Sequence, residues 1–165
     1  MRLRPDAASG EQTTMKSIVV AAALSALLAS AAVAQPDMNK DPNYGTVNLE
    51  SGFTPDPYER SILAGGSTPA SGARSGCEGN VSEAPDLQVF FEAGDLDLTF
   101  LVEASEDTTL LINTPNGRWY CDDDSGGGFD PKVLITNPQS GRYDVWVGTY
   151  GDEMVQSTLK ISELE

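Results

Sequence analysis

The chain has 165 residues, with 25 acidic and 10 basic side chains, a formal net charge of −15 and no histidine. Such a surface repels phosphate backbones and anionic headgroups, which argues against a nucleic-acid partner. Without an imidazole, neither a Ser–His–Asp or Cys–His site nor an H-E-x-x-H zinc centre can be assembled.

In chain order, residues 1–34 read as a secretory signal peptide. Met15-Lys16 precedes the apolar run SIVVAAALSALLASAAVA, and Ala32-Val33-Ala34 supplies the small-residue cleavage pattern before Gln35. Residues 1–14 are polar and lie upstream of a plausible start at Met15, so they carry no structural weight. No cysteine follows the small residues, so no lipid anchor is expected. Removal of the leader leaves seven basic and 23 acidic residues, a net charge of −16. The exported chain is then expected to be periplasmic or secreted, with no membrane insertion after cleavage. Two cysteines remain, Cys77 and Cys121, and in an oxidising compartment they are expected to pair. Closing a loop of about 45 residues contributes roughly 4 kcal/mol in the chain-entropy picture.

Residues 35–43, QPDMNKDPN, read as a flexible tail, and 44–165 as one β-sandwich domain. TVNLESGFTPDPYERSIL suggests two short strands around a proline-rich turn, and AGGSTPASGARSG, 64–76, a loop. From residue 86 the pattern becomes regular. Leu87, Val89 and Phe91 alternate with Gln88, Phe90 and Glu92; Leu96, Leu98, Phe100 and Val102 follow the same period. TTLLINT, 108–114, is apolar and β-branched on both sides, which predicts a central strand. Thr114-Pro115-Asn116-Gly117 is a turn, and RWYC returns from it. KVLIT (132–136), RYDVWVGTY (142–150) and VQSTLKISEL (155–164) complete the series. Short strands with turns every eight to twelve residues predict an all-β, antiparallel β-sandwich or jelly roll.

Four segments in order, FFEAGDLDLTF, EDTTLLINTPNG, DDDSGGGFDP and SGRYDVWVGTY, resemble the bacterial pre-peptidase C-terminal domain family over roughly residues 86–162. The resemblance implies a non-catalytic β-sandwich that accompanies exported peptidases and other enzymes, with calcium bound in some members. One departure matters: where the family often carries Asp-Thr-Asp, this chain has Asp107-Thr108-Thr109, so one acidic ligand is missing.

The acidic, glycine-rich run CDDDSGGGFDP admits three readings, a hard-cation loop, a catalytic acid cluster or a solvated turn, and with no flanking pocket legible the catalytic one is the weakest. For a cation, Asp122 and Asp124 share one face of an extended strand end, with Asp123 on the other, and Asp130 closes the loop. Asp107 joins by its match to the family's motif. Neighbouring carboxylates repel unless water or a cation such as calcium screens them. The spacing is not that of an EF-hand. Cys77 would staple the segment 41–80 beside this loop. Trp119 shares a face with Cys121 and reads as core. Trp146, with Tyr150 nearby, reads either as partly covered by a neighbouring loop or as an exposed pair able to stack on a sugar or meet a protein. These features suggest an exported, non-catalytic accessory domain that engages a protein or polysaccharide in the envelope or outside the cell. The alternatives are a carbohydrate-binding module using the exposed aromatics, and a structural envelope protein.

Overall fold

The structure, a computed structural model, describes residues 34–164; the leader expected over 1–34 lies, apart from Ala34, outside the described residues. Two sheets face each other. One contains β1 (Thr46–Glu50), β3 (Thr68–Pro69), β4 (Asn80–Val81), β5 (Leu87–Glu92), β7 (Thr108–Asn113), β8 (Trp119–Asp122) and β10 (Gly141–Thr149). The other runs β2 (Tyr58–Ala64), β11 (Val155–Ser162), β6 (Leu98–Ala104), β9 (Lys132–Ile135). The all-β sandwich expected from the sequence is present. Its pairs are antiparallel except that β1 lies parallel to β5.

Period-2 alternation builds the core. On β10, Tyr143, Val145 and Val147 point inward to meet Leu87, Val89, Leu110 and Ile112 of the same sheet and Phe100, Val102, Leu159 and Ile161 of the other. β7 is buried along its whole length, as its two-sided apolar pattern predicts. Its outward Leu111 joins a second cluster on the far face of the sheet, with Trp146, Val81, Ala70 and Cys77. The segment 68–81, which takes in most of the stretch 64–76 expected to be a loop, covers that face: it forms β3, a 3-10 turn at Ala70–Gly72, and β4. β4 can lie against β10 because residue 148 is glycine. A Cβ there would stand 2.5 Å from Thr109 Oγ1 and 2.7 Å from the Asn80 carbonyl.

Residues 35–43 are not a free tail. The Asp37 N–H donates to the Glu83 carbonyl, and the N–H groups of Asn43 and Tyr44 donate to the carbonyls of Pro85 and Asp86, all at 2.8 Å. Arg142 Nη2 donates to the Met38 carbonyl, and Met38 packs against the second cluster. The segment is a strap, held because its backbone groups find partners and its methionine finds an apolar face.

The strap meets the sheet at Asp86. β10 pairs with β5 over Gly141–Val145 and with β4 only at Thr149, leaving Val147 in a gap between neighbours. The Asp86 carboxylate fills the gap, accepting the Val147 N–H at 2.8 Å, while the Val147 carbonyl accepts from the Gly65 N–H. The other Asp86 oxygen accepts from Asn43 Nδ2 and Ser82 Oγ. Asp86 is 2% exposed. Burial raises its pKa to about 6, against the opposing pull of the Val147, Asn43 and Ser82 donors.

A carboxyl group whose folded pKa exceeds its unfolded value near 3.8 adds, on protonation, a pH-dependent increment of stability to whatever its hydrogen bonds contribute. That contribution is complete below the unfolded pKa and is lost as pH rises through about 6. Its full size is on the order of 3 kcal/mol. Urea denaturation should show the wild-type protein gaining about 2–3 kcal/mol more than Asp86→Asn between roughly pH 7 and pH 4. Identical pH dependence in the two proteins would contradict the burial-driven shift.

Candidate functional site

The acidic loop leaves β8 and returns to β9, joining the two sheets at one edge of the sandwich. Cys121 on β8 is bonded to Cys77, with Cα atoms 5.6 Å apart, so the segment that covers the sheet is fastened one residue before the loop begins. The glycines have local causes. Gly127 and Gly128 take φ of 107° and 70°. A Cβ on Gly126 would meet Leu101 Cδ1 at 2.6 Å and the Asp130 carbonyl at 2.7 Å.

The five aspartates divide into two groups. Asp122 Oδ2 accepts the N–H groups of Ser125 at 2.8 Å and Lys132 at 2.9 Å, and its Oδ1 accepts the Ser125 hydroxyl at 2.6 Å. Asp122 thus closes the loop on itself and bridges β8 to β9. Asp130 Oδ1 accepts the Ala104 N–H at 3.1 Å, tying the loop's far end to β6. Asp107, Asp123 and Asp124 have no such task. They lie near enough that Asp124 and Asp123 add to burial in raising the Asp107 pKa. Asp107 Oδ1 is inaccessible to solvent and lacks a hydrogen-bond partner among the described residues. Glu78, which follows the disulfide, belongs to the same patch: with burial and these three aspartates it raises the Tyr150 pKa, and Glu78 is the largest cause. The oxygens suit a hard cation chemically. Among the described residues, however, no three acidic side chains converge closely enough to hold an ion as they stand.

The aromatic pair expected at the surface separates. Tyr150 is 53% exposed, beside the acids. Trp146 is fully buried: the segment 68–81 and Met38 lie over the face it was expected to present. Its ring packs on Trp119, with centroids 5.4 Å apart. Trp119, expected in the core, is half-buried at the rim of that cluster. A sugar approaching from solvent cannot stack on Trp146 without displacing this cover.

A second feature went unread in the sequence. A cleft of about 670 Å³ opens on the outer face of β1 and β5, lined by Asn48, Glu50, Phe53, Thr54, Phe90 and Glu92 among others. Phe90 is 44% exposed there. The signal was available: Phe90 falls on the polar phase of its strand, between Gln88 and Glu92.

No family model and no curated protein matches the chain. Solved structures similar to it include the pre-peptidase C-terminal domain of a collagenase from Bacillus anthracis, 11% identical with a TM-score of 0.46, the match covering 75% of this chain and 99% of that one. Another is a periplasmic inhibitor of g-type lysozyme from Aeromonas hydrophila, 12% identical with a TM-score of 0.37, covering 74% and 98%. At these identities and scores neither assigns a function here.

The division among the aspartates predicts unequal costs. Asp122→Ala strands three donors and should lower stability by about 1–3 kcal/mol in urea denaturation. Asp123→Ala and Asp124→Ala remove mutual repulsion and should be neutral or slightly stabilising. Equal losses at all three positions would overturn the division.

Proposed function

We propose that this chain is an exported, non-catalytic binding domain that engages a protein in the envelope or outside the cell. The observation that carries the reading is that this histidine-free chain has neither an imidazole nor a free thiol, its two cysteines being joined to each other. Acyl transfer needs a nucleophile with a base beside it. Here the thiols are spent, and the buried carboxylate Asp86 is wholly engaged with backbone and side-chain donors. The disulfide supports an oxidising location, as does the leader pattern. The ordered motifs that resemble the pre-peptidase C-terminal domain support an accessory role. Among the described residues, no helix is long and apolar enough to cross a membrane. The buried position of Trp146 weighs against the carbohydrate module built on that residue.

Calcium enters this reading as a counter-ion for Asp107, Asp123 and Asp124, with Asp122 and Asp130 holding the loop that carries two of them. Those side chains would have to draw together around the ion, so its hold is weak and its effect is on stability.

The test has two arms. The purified exported chain should leave casein uncut, and when immobilised it should retain a discrete envelope or secreted protein that salt releases. Proteolysis that survives clean purification would overturn the reading. In the second arm, millimolar calcium should raise the melting temperature by a few degrees relative to EDTA, by linkage to the folded state. An unchanged melting temperature would remove calcium from the account and leave the binding role standing.

A further inference from the structure

We infer that the free edge of β1, together with the Phe90 cleft, accepts an extended, basic segment of a partner protein as an additional strand. The inference rests on the binding role proposed above and names its site and the chemistry of its partner.

Among the described residues, β1 ends its sheet, with β5 as its sole strand partner. The Gly45 carbonyl accepts the Gln88 N–H, and the Ser51 N–H donates to the Glu92 carbonyl. Backbone groups alternate sides along a strand, so the residues in phase with these, Val47 and Leu49, also face β5. Thr46, Asn48 and Glu50 therefore turn their N–H and C=O groups outward, in a row open to a further strand. Edge strands are commonly blunted by lysine, proline or a bulge. The stretch TVNLE contains no lysine or proline, and its register with β5 runs unbroken from Thr46 to Glu50.

The side chains beside this edge specify what would pair with it. Asn48 stands opposite Phe90, and Glu50 stands opposite Glu92. All four are exposed, and all line the one cleft. Neither Glu50 nor Glu92 has an ion-pair partner among the described residues. Like charges directly opposite on a sheet disfavour each other. A lysine or arginine arriving from outside would relieve that repulsion. Side chains on one face of a strand recur every second residue, so the incoming segment needs an aliphatic or aromatic residue over Phe90 and a basic residue two positions away, at Glu50 and Glu92. Strand addition of this kind takes affinity from backbone hydrogen bonds and specificity from alternate side chains. A second copy of this chain is a poor occupant, because each brings a net charge of −15 and a glutamate to the same edge.

The probe is the capped octapeptide TVTVTKTK, whose one face carries valine then lysine, against TVTVTETE. Isothermal titration of the purified protein should show the lysine peptide binding at least about tenfold more tightly than the glutamate peptide. Backbone amide shifts in the wild-type protein should change at Thr46, Asn48, Glu50 and Phe90. Asn48→Pro removes one outward N–H without touching the β5 ladder, and should weaken the lysine peptide about tenfold while the fold persists. Glu50→Gln with Glu92→Gln should erase the preference between the two peptides. The proposal is overturned if neither peptide binds at millimolar concentration, if shifts map elsewhere, or if the protein dimerises through β1. If a partner captured by the wild-type protein is held equally well by folded Asn48→Pro, the edge is refuted while the binding role stands.

Discussion

The fold turns on one buried carboxylate. At Val147 the longest strand of the first sheet changes neighbour from β5 to β4, and between the two its buried backbone N–H must find another partner. Asp86 takes that donor and uses its second oxygen to hold Asn43 and Ser82. Three stretches distant in sequence, the strap before β1, the turn after β4 and the middle of β10, are fixed by one side chain. Burying a charge there is costly, and the cost appears as the raised pKa. The donors around it limit the cost without removing it.

The rest of the outer face follows from that junction and from the disulfide. The strap brings Met38 over the sheet, and Cys77–Cys121 draws in the segment that carries Ala70 and Val81. Between them they bury Trp146 and leave the β1–β5 end of the same face open. One half of the sheet is therefore sealed by the chain's own segments and the other half presents Phe90 between carboxylates. The acidic loop lies at the opposite sheet edge, where Asp122 and Asp130 are structural ties and Asp107, Asp123, Asp124 and Glu78 form a patch of negative potential. That potential favours cations and basic partners over long range and weakens with salt.

The sequence carried the strands well because each reports its own environment locally. β10 reads inward-outward residue by residue, and β7 reads as buried on both sides. The disulfide was legible from cysteine number and compartment. What failed were properties set by distant segments. Trp146 looked exposed because its outward phase is shared with Asp144 and Gly148, yet that face is covered by residues more than sixty positions earlier. Residues 35–43 looked like a tail because their composition is polar, whereas their order comes from partners at Glu83, Pro85 and Arg142. Among the acids, composition could not separate the loop-closing Asp122 from the unengaged Asp123, since that depends on which carboxylate meets Ser125 and Lys132. Asp86 passed unnoticed as an ordinary residue ahead of a strand.

Residue-resolved amide hydrogen exchange by NMR tests the central claim most directly. A carboxylate-filled junction in β10 beside an open β1 edge predicts slow exchange at Val147, although no strand lies opposite its N–H, and at Val47 and Leu49, which face β5. Asn48 and Glu50 should exchange fast. Rapid exchange at Val147, or protection at Asn48 equal to that at Leu49, would contradict the account.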